Sequence, residues 1–158
     1  MNDASRRACQ LIEATYHMTL ATADASGKPW GAPVFFAHDE AFTLYWVSYV
    51  EAVHSRNIRV RPEVGITILG EPPDHIGDGV YFDAVAAELN DAGEIERAIE
   101  ARRARPQEER FMVNSPTDVL GDAAWRMYRA VPLAIYKRAD IDDVIKGQCV
   151  TARVKVTL

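Results

Sequence analysis

The chain has 158 residues, of which 48% are hydrophobic and 26% are charged, proportions typical of one globular domain with its own core. Its 18 basic and 23 acidic residues give a net charge of −5, which disfavours nucleic-acid binding because neutralising phosphates requires a basic surface. No apolar run approaches the roughly 20 residues that span a bilayer, and the first ten residues lack the apolar core of a secretion signal. We therefore expect a single cytoplasmic domain over residues 1–158, with neither a membrane nor a nucleic acid as partner.

The elements predicted in chain order are mostly strands, interrupted by helices. Apolar residues at helical spacing predict helices, and apolar runs bounded by turn residues predict strands. We expect a helix at 5–15, strands at 17–23, 30–37 and 42–48, a helix at 51–61, strands at 63–69 and 79–89, a helix at 92–105, and strands at 125–137 and 151–158. Consecutive strands linked by hairpins favour an antiparallel barrel or sandwich over a doubly wound parallel sheet.

Local signals refine three of these elements. Asp91 has capping-box spacing with Glu94 and predicts a helix start. Pro132 predicts a bend or bulge in its strand, because proline cannot donate to the ladder. Residues 70–78 are expected to be a loop, and 106–124 a loop with one helical turn that shapes the substrate side of any pocket.

The motifs of several common site classes are absent from the sequence. There is no dinucleotide-binding G-x-G-x-x-G after a strand, no phosphate-binding Walker loop, no G-x-S-x-G and no H-E-x-x-H. Four widely spaced histidines, and Cys9 and Cys149 outside any C-x-x-C pattern, predict no metal site. The basic cluster Arg102, Arg103 and Arg105 is interpreted as the solvated end of a helix.

One segment places a polar helix start directly after an apolar strand. The strand ends at Ser48, and His54, Ser55, Arg56 and Asn57 follow at the start of the predicted helix. Helix-start N–H groups attract anions, and hydroxyl, amide and basic side chains hydrogen-bond phosphate oxygens. The pattern is what a phosphorylated aromatic cofactor requires; a polar helix cap with a satisfied histidine is the alternative interpretation.

Four segments in a fixed order carry a family resemblance. They are LATADASGKPWGAPVFF, LYWVS, HSRNIRVRPEVGITI and GVYFDAVAAEL. Together they resemble the pyridoxamine-phosphate-oxidase-like, FMN-binding split-barrel family over roughly residues 10–105. The resemblance implies a mainly β (α+β) fold, a six-stranded antiparallel split β-barrel with flanking helices. It also implies a homodimer with two flavin sites at the interface.

The same resemblance implies twelve cofactor-binding positions on four segments. Val34, Phe35 and Phe36 would line the isoalloxazine ring, partly through the backbone, and Val47 and Ser48 would contact the ring and the ribityl chain. His54 and Ser55, helped by Arg56 or Asn57, would bind the phosphate. Gly79, Val80 and Tyr81 would approach the flavin of the partner chain.

Three departures from the oxidase pattern argue against pyridoxamine phosphate as the substrate. Val53 and His54 stand where Arg and Lys are usual, Gly79 stands where Gln is common, and the chain ends in ARVKVTL rather than an Arg-Leu-x-Pro tail. We expect an FMN-binding oxidoreductase acting on a small organic substrate. A deazaflavin (F420)-dependent reductase, a non-enzymatic flavin-binding or stress-related protein, and a split barrel that has lost its cofactor stay open. Tyr49, His54 and Tyr81 favour binding or packing roles, so no catalytic residue is assigned.

Overall fold

The computed structural model describes residues 1–70, 78–106, 112–139 and 153–158. These contain the helices α1 (Asp3–Ala14), α2 (Val53–Val60) and α3 (Ala92–Arg103), and a 3-10 helix (Pro116–Asp118). They also contain the strands β1 (His17–Ala23), β2 (Pro29–Phe35), β3 (Ala37–His38), β4 (Leu44–Tyr49), β5 (Glu63–Leu69), β6 (Gly79–Glu88), β7 (Trp125–Arg138) and β8 (Arg153–Val156). Three predicted elements are only partly described. Residues 71–77 of the loop at 70–78, residues 107–111 of the segment at 106–124 and residues 151–152 of the last strand lie outside the described residues. Cys149 lies outside them as well. No helix among the described residues is long and apolar enough to cross a membrane.

All strands of the described residues join one antiparallel sheet. The order across it is β2-β1-β5-β6-β7-β4-β3, and β8 pairs with β7. The predicted mainly β, antiparallel architecture with flanking helices is confirmed. The resemblance implies six strands and the sequence pattern predicts seven, whereas the described residues form eight. The additional strand arises because the one predicted at 30–37 divides at Phe36 into β2 and β3, and the strand predicted at 151–158 is present as β8.

The sheet curls because a single residue joins its two edges. β2 and β3 lie at opposite ends of the strand order, yet only Phe36 separates them along the chain. Six inter-strand spacings of about 4.8 Å would place the edges of a flat sheet roughly 29 Å apart. The two Cα–Cα steps from Phe35 to Ala37 span at most about 7 Å, so the edges must approach each other and the sheet forms a split barrel. The Phe36 side chain is fully buried inside it.

The core is divided into two clusters by β4. Leu44 and Trp46 of this strand belong to the main cluster inside the curl, whereas Tyr45 belongs to a second cluster beneath α3. Alternate residues of a strand point to opposite faces, and both faces of β4 are buried here. β4 is therefore held from both sides up to its last residues, which fixes the position of the turn that follows.

The predicted irregularities of β7 and α3 are present. The β6–β7 register shifts after the pair Ala84–Pro132, leaving Leu133 as the extra residue of a bulge, as the proline predicts. The side chain of Asp91 accepts a hydrogen bond from the Glu94 backbone and caps α3.

The basic cluster at the end of α3 is not entirely solvated, as the sequence had predicted it to be. Arg103 is exposed, but Arg105 is only 7% exposed. Its guanidinium donates to the backbone oxygens of Ile12 (2.7 Å) and Thr15 (2.6 Å), at the C-terminal end of α1, and lies over the Phe36 ring at 4.7 Å. Carbonyls at a helix C-terminus need external donors, so Arg105 is a structural link between two helices rather than a solvated charge.

Phe36→Ala should destabilise the protein by about 3–5 kcal/mol, because it removes a fully buried ring from a close-packed core. Leu69→Ala is the matched control, since Leu69 is 57% exposed and should cost about 0.5 kcal/mol or less. Urea unfolding of both variants measures the difference. Similar losses in the two variants would contradict the role given to Phe36.

Candidate functional site

A cavity of about 960 Å³ opens between the edge strand β2 and the end of β4. It lies between β2, the end of β4, the start of α2 and the end of α3. The described residues that line it are Tyr16, His17, Pro33, Val34, Phe35, Val47, Ser48, Tyr49, Ala52, His54, Arg102, Pro106, Met112, Val113, Asp118, Val119 and Trp125. A volume of this size is in the range of sites that enclose a small organic ligand or cofactor.

The turn between β4 and α2 presents a polar pair to the cavity. His54 Nε2 lies 2.7 Å from Ser48 Oγ, a hydrogen-bond distance, and Ser48 is 5% exposed. The Ser55 hydroxyl donates to the Tyr49 backbone oxygen at 2.9 Å, and the Ala52 N–H donates to the same oxygen at 3.0 Å. These bonds set the direction in which α2 leaves the strand and hold the imidazole at the cavity wall.

The N-terminus of α2 has neither a side-chain cap nor an acidic residue in its first turn. Its N-cap residue is Ala52. The first N–H groups of a helix lack intrahelical acceptors, and the helix dipole makes this end attractive to anions. Ala52 and His54 both line the cavity, so this end of it can accept an anionic group.

Five of the twelve predicted cofactor positions are brought together at this cavity. They are Val34, Phe35, Val47, Ser48 and His54. Their roles in binding a cofactor stay predictions.

The other three positions of the predicted phosphate cluster lie elsewhere on α2. Ser55 is fully buried and bonds the backbone, Arg56 is exposed outside the cavity lining, and Asn57 is buried with its Nδ2 3.0 Å from Thr22 Oγ1. Consecutive helical residues are rotated by about 100° around the axis. Four residues in a row therefore cannot face one point, and His54 alone of the four faces the cavity.

The remaining positions also lie away from the cavity lining of this chain. Phe36 and Val80 are fully buried in the barrel core, so only their backbones could approach a ligand. The Gly79 N–H donates a hydrogen bond to Asp78 Oδ1, and the Arg153 guanidinium lies over the Tyr81 ring at 4.0 Å. The expectation that Gly79, Val80 and Tyr81 approach a partner chain's flavin stays a prediction.

Of the two aromatic residues at the cavity mouth, Tyr49 was named from the sequence for a binding or packing role, whereas Trp125 was not named. Tyr49 and Trp125 are each 48% exposed and meet edge to face, with ring centroids 6.2 Å apart. The register pairs them directly across β4 and β7, a cross-strand contact that sequence alone does not define. The predicted pocket-shaping role of the segment at 106–124 is supported, because its described part contributes Met112 and Val119 among other lining residues.

Arg102 is the second group that sequence reasoning missed. It is 4% exposed and lines the cavity, with its guanidinium 5.4 Å from the Phe35 ring centroid. Burial lowers its pKa to about 10. A signal was present in the sequence: Ile95, Ala98, Ile99 and Arg102 follow the spacing i, i+3, i+4, i+7, which places the arginine on the buried stripe of α3.

A curled antiparallel sheet with a cavity beside its split edges defines a split-barrel protein. The sequence profile of the pyridoxamine 5'-phosphate oxidase family matches residues 5–127, more than half of the chain. The chain belongs to that family. No curated protein sequence matches it significantly.

Solved structures with this fold include proteins of different kinds. HutZ, a heme storage protein from Vibrio cholerae, is 20% identical with a TM-score of 0.66, covering 82% of this chain and 89% of its own. General Stress Protein 26 from Bacillus anthracis is 18% identical with a TM-score of 0.62, covering 84% and 92%. An F420 reductase is 20% identical with a TM-score of 0.56, covering 80% and 93%. At these identities the likeness shows the fold alone.

The protonation of His54 gives a pH test of this site. Burial lowers the pKa of the imidazole below 6.5, so the unfolded chain takes up the proton more readily than the folded one. The free energy of unfolding should therefore decrease as the pH falls from about 6.5 to the lower folded-state pKa of His54. Above about pH 6.5 the imidazole is neutral in both states, so His54 should cause no pH dependence of stability there.

NMR titration of the imidazole and urea unfolding of wild type and His54→Gln measure the two quantities. The stability difference between the proteins should change only within this pH window. A folded-state pKa at or above 6.5 would contradict the placement of His54.

Proposed function

We propose that the protein binds FMN in this cavity and acts as a flavin-dependent oxidoreductase on a small organic substrate. The observation that carries the proposal is the Ser48–His54 pair at the open N-terminus of α2, facing a cavity with aromatic walls. An anionic phosphate and a flat apolar ring need these two surfaces side by side.

The residues present fit the chemistry of FMN. Ser48, His54 and the first N–H groups of α2 supply hydrogen-bond donors for a phosphate, and protonation of His54 would add a charge. Phe35, Val34 and Val47 supply flat apolar surface for the ring system. When bound, the flavin supplies the redox chemistry, and the protein supplies binding, orientation and electrostatic tuning.

The alternatives differ in the ligand that the same cavity would hold. A deazaflavin is one, since an F420 reductase shares the fold. Heme is another, because HutZ is a heme storage protein. Parallel titrations with FMN, a deazaflavin and hemin compare the affinities of the protein for the three candidate ligands. Tight FMN binding without turnover of any reduced nicotinamide would favour the non-enzymatic flavin-binding alternative, and no binding of any of the three would favour a barrel without cofactor.

FMN should bind more tightly than riboflavin, because only FMN carries the phosphate. The difference should correspond to about 1–3 kcal/mol. His54→Gln should reduce this preference and flatten its pH dependence, since phosphate binding favours the protonated imidazole and FMN affinity should fall as the pH rises above the pKa of the complex. Calorimetry at several pH values measures both effects.

Arg56→Gln is the matched control for that measurement. Arg56 lies two residues from His54 on the same helix but is exposed outside the cavity lining, so its variant should keep the wild-type preference. Equal affinity of the wild type for FMN and riboflavin would contradict the phosphate site.

We also propose that the protein is a homodimer in which the partner completes the flavin site. Val85 and Val131 pair directly on the outer face of β6 and β7 and are 37% and 43% exposed, and Leu133 beside them is 68% exposed. Exposed apolar surface of this kind commonly marks a subunit contact, and closed two-fold symmetry is its commonest solution.

Sedimentation at low micromolar concentration should show a dimer, and Val131→Glu should shift it toward monomer while weakening FMN binding. Glu63→Gln, at an exposed position opposite Val85, controls for a change in surface charge. A wild-type monomer that binds FMN tightly would overturn both the dimer and the composite site.

A further inference from the structure

Two large aromatic side chains at the mouth of the cavity are left half exposed. Tyr49 and Trp125, here called the mouth pair, are each 48% exposed, meet edge to face and line the cavity. Aromatic rings stabilise a fold mainly through the apolar area that they bury, so rings left this exposed contribute less than they could. A flat ligand in the cavity mouth would cover their faces.

The backbone that carries the mouth pair is held from both strands. Tyr49 and Trp125 are directly opposite each other across β4 and β7, and next to them the Val50 N–H donates to the Ala124 oxygen at 2.9 Å. The Arg126 guanidinium donates to the Trp125 backbone oxygen, also at 2.9 Å. Because the backbone is fixed in this way, ordering the site for a ligand costs less entropy.

The other aromatic residues of the cavity already lie under cations of the protein. The Arg102 guanidinium lies 5.4 Å from the Phe35 ring centroid, and the Arg105 guanidinium lies 5.7 Å from that of Tyr16. Among the described residues, no cation lies over either ring of the mouth pair. The faces of aromatic rings attract cations, and that of tryptophan does so most strongly. The mouth pair can therefore accept a positive charge from a ligand.

A carboxylate lines the same cavity. Asp118 is exposed and lies at the end of the 3-10 helix that precedes β7. Its Oδ2 accepts hydrogen bonds from the backbone N–H groups of Asn114 (2.9 Å) and Ser115 (3.1 Å), whereas no described residue donates to Oδ1. Asp118 is the one acidic residue of the described lining, and its second oxygen can balance the charge of a cation.

We propose that Tyr49, Trp125 and Asp118 form a second subsite at the cavity mouth, which binds a flat, cationic nitrogen heteroaromatic ring. The inference rests on the proposed function and adds the class of its substrate. The ring of the ligand packs on the mouth pair, and its positive charge is balanced by Asp118. The cofactor phosphate stays at the start of α2.

Three probes of one shape separate the effect of charge from that of ring packing. They are the cation 1-methylnicotinamide, the neutral 3-methylbenzamide and the anion 3-methylbenzoate. Calorimetry is done with the protein as purified and with the protein saturated with FMN. The cation should bind wild type roughly tenfold more tightly than the neutral probe, and the anion should bind more weakly than both. The proposal is overturned if the cation does not bind more tightly than both other probes.

Substitutions at the subsite test the two contributions separately. Trp125→Leu should weaken binding of the cation roughly tenfold, because leucine has no ring face, and Trp125→Phe should lose less. Asp118→Asn should weaken the cation about two- to fivefold and leave the neutral probe unchanged, since an amide oxygen still accepts the two backbone hydrogen bonds. Wild-type binding of the cation by Trp125→Leu or by Asp118→Asn would contradict the subsite.

Trp30→Leu and Asp122→Asn are the matched controls. Trp30 is 46% exposed, Asp122 is exposed, and both lie outside the cavity lining. These variants should bind all three probes like wild type, and a comparable loss in either of them would overturn the proposal. If Trp125→Leu fails to fold, as judged by circular dichroism, Tyr49→Leu takes its place with the same expected loss.

The FMN affinity and the oligomeric state of Trp125→Leu separate this inference from the proposed function. Both should match wild type. A loss of FMN affinity would make the mouth pair part of the flavin site, and a change in sedimentation would make it part of a subunit contact; either result overturns the second subsite. Trp125-dependent binding of the cation by a protein that does not bind FMN would support the subsite and reject the flavin proposal.

Discussion

The structure depends on one covalent constraint, the single residue between β2 and β3. Because these strands are the two edges of the sheet, Phe36 forces the edges together and makes the sheet curl. Its ring fills the interior of the curl, and Arg105 lies over the ring while bonding the end of α1. The same link sets β2 beside β4 at the split, which is where the cavity opens. The fold and the site therefore have a common origin.

Buried charged side chains occur both in the barrel and in the wall of the cavity. Lys137 and Asp78 form a buried ion pair at 2.8 Å near the start of β6. Burial tends to raise the pKa of Asp78, but the hydrogen bonds from Lys137 and from the Gly79 N–H, with the nearby positive charges, hold it below its ordinary value. Removing one partner of such a pair leaves an uncompensated charge, so this pair is structural. Arg102 is as deeply buried, and it is one of the residues that line the cavity.

The sequence predicted the elements well because their signals are local. Helical spacing, strand alternation and capping residues placed α1, α2, α3 and the main strands within a few residues of their observed bounds, and Pro132 predicted the bulge in β7. The division at Phe36 was not predictable, because it depends on which strands become edges.

At the site, the residues before and after the β4–α2 turn were named, but Trp125 and Arg102 reach the cavity through cross-strand register and helix packing. Of the run from His54 to Asn57, only His54 lines the cavity, because adjacent helical residues point in different directions. Arg102 could have been recognised from its place on the apolar stripe of α3.

We propose that the cavity beside the split holds FMN with its phosphate at the start of α2. A crystal structure of the protein saturated with FMN tests this directly. We expect the phosphate within hydrogen-bond distance of Ser48, His54 or the first N–H groups of α2, with the isoalloxazine ring against Phe35 and Val47. A flavin bound elsewhere, or one whose phosphate contacts Arg102 instead of α2, would contradict the proposed site.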